Sequence, residues 1–373
     1  MARVLLVFEP PDGGVAENVM ALALGLAAHG HAPEAAGPPG AVIHERLEAA
    51  GVPVHRVGLR RGYGRPDADA RALRELTGLV RRGGYDLVHC HSAKAGVLGR
   101  LAARRAGVPA VYSPHCFAFV GEVSRARRRF ATAVERRLGR RSTAAIVCAC
   151  EAERHRALER RVAPAERLHR VYYGVEECPG RDVDEALARL RAGGPVAGAV
   201  CVLRRQKRLD VLIDAAPEVL ARVPDARIAI VGDGEEREAL RARAAQRGLG
   251  ADPRFAFLPF AAPSARHLRA LDLFVLPSGW EAMPIAVLEA LACGVPQVVT
   301  DVEGTGEATV PETGVLVSPG DPAGLAEAMI ALLRDPERRA AMAAASRERH
   351  RERFGLERMV AETAAVYDHV LAA

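Results

Sequence analysis

Short apolar runs alternate along this chain with longer stretches in which apolar residues recur every three or four positions. Residues 3–8 (Arg-Val-Leu-Leu-Val-Phe) form such a run and stop at the loop Glu9-Pro-Pro-Asp-Gly-Gly14. A run of this length between turn residues predicts a buried strand. Residues 16–29 then place Val19, Leu22, Ala23 and Leu26 on one side of a helix. A short apolar stretch follows near Ala32, with strands predicted at 52–57, 86–90, 110–112 and 144–148. Helices are predicted at 42–50, from Pro66 to Gly83-Gly84, and at 94–106, 122–138 and 151–161. Repeated strand–helix units argue for a parallel sheet covered on both faces.

The rhythm resets around Tyr173-Gly174-Val175. A polar, glycine-rich stretch over 176–194 includes one amphipathic helix, and a fresh strand begins at Val196. Further strands are predicted at 226–231, 254–258, 273–276, 297–300 and 314–317, with helices between them. After Asp321-Pro322 the pattern is helical, broken at Asp335-Pro336 and Gly355. The expected architecture is α/β: two doubly wound, Rossmann-like domains at 1–175 and 176–353, facing each other across a cleft. A last helix at 354–373 would pack back on the first domain. In such sheets ligands bind at the carboxyl ends of the strands.

The most informative stretch is Ser278-Gly-Trp-Glu-Ala-Met-Pro-Ile-Ala-Val-Leu-Glu-Ala-Leu-Ala-Cys-Gly294, which lies between two strand-like runs. Pro284 suits the first turn of a helix, Ile285, Val287, Leu288, Leu291 and Ala292 form its apolar face, and Gly294 ends it. A helix N-terminus beyond a strand's carboxyl end is an anion site. Glu281 just before this helix and Glu289 inside it make sense beside phosphate only if the ligand also carries hydroxyls, as a nucleotide sugar does. Other candidates stand at comparable places. Gly13-Gly14 would let a ligand approach backbone closely, although a plain tight turn fits equally. Gly232 and Gly234 follow the strand at 226–231, and Arg204-Arg205-Gln206-Lys207 puts cations at a strand's exit, where a diphosphate clamp fits. His115 lies in a loop after the strand at 110–112. His91 lies at a strand exit beside Lys94 and is better placed than His89 to face a cleft.

Composition narrows the partners. The chain has 373 residues and a net charge of +6, but residues 1–175 hold 28 Lys/Arg against 16 Asp/Glu, and the remainder 24 against 30. A basic first half suits an acidic or membrane-borne partner. Lys94 and Lys207 are the only lysines among 52 basic residues, which suggests that these two need a compact ammonium. Aromatic residues make up 4%, too few for a nucleic-acid stacking surface. No apolar run approaches the roughly 20 residues of a membrane span. Seven scattered cysteines read as buried and reduced, pointing to the cytoplasm. Arg125, Arg127, Arg128, Arg129, Arg136, Arg137, Arg140 and Arg141, interleaved with Phe130, Val134 and Leu138, form either a solvated helix face or one that rests on anionic lipid. Asp67-Ala-Asp69 and Asp182-Val-Asp184 lie where acidic residues favour helix starts, and no metal is assigned to them.

Taken together, these motifs resemble the retaining GT-B glycosyltransferases of family 4, over nearly the whole chain. The most specific element is E-x7-E, Glu281 to Glu289, followed by Ala-Leu-Ala-Cys-Gly-Val-Pro296. Gly13-Gly14 matches the glycine loop of that family's first domain. His91-Ser-Ala-Lys-Ala-Gly96 and Tyr112-Ser-Pro-His-Cys-Phe117 are similar to segments of bacterial members that act on polysaccharide or lipid-linked acceptors.

The resemblance implies transfer of a sugar, with retention, from a nucleoside-diphosphate sugar to a glycan, lipid-linked or small-molecule acceptor. UDP is favoured over GDP or ADP, and no metal is required. It assigns the donor sugar to Glu281, the ribose to Glu289, the diphosphate to Lys207 and the reacting sugar to His115. Ala282, Met283, Pro284 and Ile285 would line the donor, and Glu307 would lie in a neighbouring loop. The family's arginine five residues before the lysine is Val202 here, so Arg204 or Arg205 takes its place, and Ala282 stands where glycine is common. The competing readings are an epimerase of the UDP-GlcNAc 2-epimerase type, which shares the fold but lacks this E-x7-E context, and a non-catalytic nucleotide-sugar-binding protein.

Overall fold

The computed structural model describes residues 1–60, 62 and 65–373. The chain forms two compact units, one of Met1–Tyr173 with Leu356–Ala373 and one of Gly174–Gly355. In the first, strands β1 (Ala2–Phe8), β2 (His31–Gly37), β3 (Val54–Arg56), β4 (Leu87–His91), β5 (Ala110–Ser113), β6 (Ala145–Cys148) and β7 (Leu168–Arg170) alternate with helices α1 (Gly13–Gly25), α2 (His44–Ala49), α3 (Pro66–Gly83), α4 (Ala93–Ala106), α5 (Arg125–Arg141) and α6 (Glu151–Glu159). In the second, α7 (Glu185–Arg191) precedes β8 (Val196–Val200), α8 (Leu209–Arg222), β9 (Arg227–Val231), α9 (Arg237–Gln246), β10 (Phe255–Leu258), α10 (Ala265–Leu268) and β11 (Leu273–Leu276). There follow α11 (Ile285–Ala292), β12 (Gln297–Thr300), α12 (Glu303–Ala308), β13 (Gly314–Val317), α13 (Pro322–Leu333) and α14 (Pro336–Arg353). The final helix, α15 (Leu356–Ala372), belongs to the first unit.

Both sheets are wholly parallel. The first runs β3-β2-β1-β4-β5-β6-β7 and the second β10-β9-β8-β11-β12-β13. Helices on both faces explain why the central strands are apolar throughout: Val4 to Phe8 and Leu273 to Leu276 have no exposed surface. In each sheet the strand order reverses once, between β1 and β4 and between β8 and β11. The loops leaving those four strands therefore diverge and leave a crevice at their carboxyl ends.

Several elements differ from the sequence reading, for local reasons. The arginine-rich helix α5 starts later, because the Ser124 hydroxyl caps it by accepting from Arg127 N–H. Pro284 is the residue before α11 and does not lie in its first turn. The cysteines are not all reduced: Cys178 and Cys293 form a disulfide, with Cα atoms 4.8 Å apart. Cys293 caps the end of α11, and Arg269 holds the other strand of the link by donating to the Cys178 carbonyl at 3.0 Å. The partners are 115 residues apart in sequence, so spacing could not reveal them.

Candidate active site

In the second unit, the loops leaving β8 and β11 meet. The chain leaves β8 through Cys201–Leu203 and a single helical turn over Arg205–Lys207, and Gly279 N–H bonds to Gln206 O at 2.8 Å. That contact brings Glu281 to Lys207: the ammonium reaches Glu281 Oε1 at 2.5 Å. The same oxygen accepts from Ser278 Oγ at 2.8 Å, while Gln206 Nε2 donates to Oε2 at 3.1 Å and to the Trp280 carbonyl at 2.7 Å. The pair is largely shielded, with side chains 16% and 8% exposed. Burial pushes the Lys207 pKa down, but the Glu281 charge outweighs it and the net effect is a raised value. A cation and a carboxylate are thus held ready at the switch point of the second sheet.

Around this pair the backbone is packed without slack. A Cβ on Gly304, at the start of α12, would lie 1.7 Å from the Ala282 carbonyl oxygen and 3.0 Å from Met283 Cα. Only glycine lets α12 support the loop of Ala282, Met283 and Pro284 that leads to Ile285. Gly232 and Gly234 have a similar use, since their Cβ atoms would strike Cys201 O at 1.9 Å and Leu203 O at 2.4 Å. Here they seat the loop that carries Lys207. Arg204 is half-buried and Arg205 exposed, whereas Arg208 is committed to Asp210 at 3.0 Å. Within α11, Glu289 Oε1 accepts from Ser264 Oγ at 2.7 Å. Glu307 lies in α12, its carbonyl held by Arg349 at 2.7 Å.

In the first unit, the loops leaving β1, β4 and β5 converge. Gly13 opens α1 with φ of 75°, a left-handed conformation that glycine adopts without strain, and Gly14 follows it in the first turn. At the end of β4, His91 is fully buried, and its Nδ1 lies 2.9 Å from His115 Nε2. His115 Nδ1 is hydrogen bonded to the Tyr173 hydroxyl. His91 Nε2 has no partner among the described residues. Burial lowers the His115 pKa to about 3 and holds that of His91 well below the ordinary value, with the neighbouring histidines adding to the effect at His91. Both imidazoles are therefore neutral and able to exchange hydrogen bonds without carrying charge. Beneath them His89 bonds to Tyr367 of α15 at 2.6 Å and to Ser113 at 2.8 Å. Lys94 is tied down: its ammonium pairs with Asp69 at 2.9 Å, and its N–H donates to Glu9 at 3.1 Å.

Sequence reasoning missed Gln206, Ser278, Ser264, Tyr173 and Glu9. Four of them meet their partners across different elements, at separations from 25 to 85 residues, where no local spacing signals them. Ser278 lies three residues from Glu281, inside the motif already singled out, but serine in a loop carries no distinctive signal. The basic face of α5 is exposed at Arg125, Arg127, Arg129, Arg136, Arg137, Arg140 and Arg141, and Phe130 on it is 65% exposed. Among the described residues no helix is long and apolar enough to cross a membrane.

Residues 13–174 match the family model described as glycosyl transferase 4-like domain, and residues 194–335 match glycosyl transferases group 1. The chain is 32% identical over 332 residues to a D-inositol 3-phosphate glycosyltransferase of Thermobispora bispora, an alignment that covers 82% of this chain and 77% of that one. It is 31% identical over 248 residues to UDP-Gal:alpha-D-GlcNAc-diphosphoundecaprenol alpha-1,3-galactosyltransferase of Escherichia coli, and this match spans 63% of each chain. Among solved structures, Anabaena HepE in complex with UDP and glucose superposes with a TM-score of 0.84 at 21% identity, covering 99% of this chain and all of that one. Sucrose-phosphate synthase of Thermosynechococcus elongatus gives 0.85 at 21% identity, with both chains fully covered. The fold of paired Rossmann-like units is GT-B.

Proposed function

This chain belongs to the group 1, family 4 glycosyl transferases, and from that membership we propose that it moves a hexosyl group, with retention, from UDP-sugar to a phosphate-bearing acceptor. The observation that carries the reading is the Lys207–Glu281 pair, buttressed by Gln206 and Ser278. A departing nucleoside diphosphate needs preorganised positive charge, and a donor sugar needs hydrogen-bond acceptors. Lys207, with Arg204 or Arg205, takes the diphosphate, assisted by the backbone N–H groups of Ala282, Met283 and Ile285 around the start of α11. Glu281 takes the sugar hydroxyls and Glu289 the ribose. Gly13 and Gly14 admit the ligand to the first unit's backbone, where His115 and His91 serve the reacting sugar and the acceptor. These cations supply the leaving-group stabilisation, so EDTA is expected to leave turnover unchanged.

UDP is favoured because the Escherichia coli relative is named for UDP-Gal and the Anabaena structure holds UDP. A phosphate-bearing acceptor is favoured because both relatives are named for one, a diphosphoundecaprenol and an inositol phosphate. The 28 basic against 16 acidic residues over 1–175 support the same choice. If the acceptor is lipid-linked, the face of α5 suits an anionic bilayer from the cytoplasmic side, and binding to anionic vesicles should weaken with salt.

The test is a thermal-shift screen of UDP-, GDP- and ADP-sugars, followed by NMR of the product's anomeric configuration. A ligand that binds the native state must raise its stability. Shifts with UDP-sugars and an α-product from an α-donor are expected. Response to GDP- or ADP-sugars alone would overturn the choice of base, and a β-product would overturn retention.

A further inference from the structure

Beyond β5 the chain turns through Pro114, His115 and Cys116, with φ of 52° at His115 and 93° at Cys116. Two successive non-glycine residues in the left-handed region are unfavourable and persist only when their surroundings over-determine them. The restraint comes from another element. Glu153, in the first turn of α6 and 3% exposed, accepts Cys116 N–H at 2.9 Å through Oε1 and Ala149 N–H at 2.7 Å through Oε2. Its own N–H is held by Cys150 Sγ at 3.3 Å, and the helix N-terminus favours its charge. The carboxylate therefore clasps the turn of His115 to the exit of β6, and the bonds of His115 to His91 and Tyr173 presuppose that turn.

We propose that Glu153 is a positioning residue for glycosyl transfer: by holding Cys116 N–H it keeps His115 in the left-handed turn that presents its imidazole to the reacting sugar. The inference rests on the reading that His115 works at that sugar. Neither oxygen of Glu153 needs to approach the substrate. The amide of Glu153→Gln would confront one of the two N–H groups with another donor and release one side of the clasp. Because Cys116 has a φ that glycine tolerates, Cys116→Gly should relax the turn's dependence on the clasp.

The experiment compares kcat and donor KM in Glu153→Gln, His115→Ala, their double variant, and Glu153→Gln with Cys116→Gly. Glu153→Gln is expected to lower kcat about 10- to 100-fold, the scale for a displaced catalytic group, with donor KM within about twofold. In the His115→Ala background the same change should alter kcat less than about twofold, and Cys116→Gly should restore at least about half of the lost logarithm of kcat. A merely structural role would give equal losses in both backgrounds and no rescue, and either result overturns the proposal. Glu153→Asp, which keeps the charge but reaches only one N–H, is the second variant should Glu153→Gln fail to fold; about a tenfold loss is expected, and parity with wild type would refute the clasp. Wild-type turnover in His115→Ala would overturn the role given to His115 itself, whereas wild-type kcat in Glu153→Gln beside an inactive His115→Ala would overturn this inference alone.

Discussion

Removing Lys207 and Glu281 singly and together should separate what the pair does for stability from what it does for turnover. The side chains are 16% and 8% exposed and meet at 2.5 Å. Breaking a buried pair by deleting one partner costs about 3–5 kcal/mol, because the survivor keeps an uncompensated charge. The two survivors are not equal. Glu281 without Lys207 still has the Ser278 hydroxyl and the Gln206 amide, so Lys207→Met is expected to cost about 2 kcal/mol. Lys207 without the Glu281 charge has no other partner among the described residues, and Glu281→Gln is expected to cost about 3 kcal/mol. The double variant leaves no stranded charge and should lose about 2 kcal/mol, a coupling of about 3 kcal/mol, at the upper end for residues in contact. For a unit of this size each kcal/mol moves Tm by about 2–4 °C, so Glu281→Gln should melt about 6–12 °C lower without ligand. Turnover behaves differently: both singles and the double should lose at least about 100-fold in kcat, since recovered stability does not replace the missing cation. Calorimetry and a product assay on the same preparations read both quantities. Additive losses of about 5 kcal/mol in the double variant would show that the pair does not exist in solution.

The remaining predictions concern other parts of the two units. Gly304→Ala must displace the Ala282 carbonyl, which is backbone and not the end of a flexible side chain; a loss of about 1–3 kcal/mol and at least about a tenfold rise in donor KM are expected, and an unchanged KM would show the loop does not bind donor. Reduction of Cys178–Cys293 opens a loop of 115 residues, for which chain entropy gives at most about 5 kcal/mol; Tm should fall on reduction while titratable thiols rise from five to seven, and an unmoved Tm with the extra thiols present would contradict the link's role. His89, His91 and His115 are held neutral by burial, their folded pKa values lying below the unfolded value of about 6.5. Below that pH the unfolded chain takes up protons that the folded chain does not, so stability is lost as pH falls, by up to about 4 kcal/mol per pH unit for three groups. Urea melts from pH 7.5 to 5 check the sign, and a flat profile would refute neutral burial.

Where the pattern was local, the sequence was legible. Residues 3–8 and 273–276 announced β1 and β11 because a strand covered on both faces must be apolar throughout. The motif from Ser278 to Gly294 announced α11 because a proline near its start, an apolar stripe and a terminal glycine all agree. The three-residue strand β7, Leu168-His-Arg, carries no such signal and exists through its pairing with β6. The same holds for chemistry. Glu281, Lys207, His91 and His115 could be picked out by residue type at or near a strand exit, but the groups that buttress them could not. Tyr173 reaches His115 across 58 residues and Gln206 reaches Glu281 across 75. Such pairings are set by the order of strands in the sheet, which is settled only when the whole unit has folded.

The path of the chain between the two units carries a further consequence. It leaves the first at Tyr173 and re-enters it at Leu356. The two crossings are joined, since Val175 N–H bonds to Phe354 O at 2.9 Å and Val175 bridges Gly355. The second unit is thus an insertion with its ends tied together, a contiguous cassette that can be excised at one locus. The first unit is completed only by the last helix, whose Tyr367 holds His89. A ribosome has therefore made every residue of the second unit before the first can close over its own histidines, and a premature stop near residue 355 would damage the half of the protein encoded first.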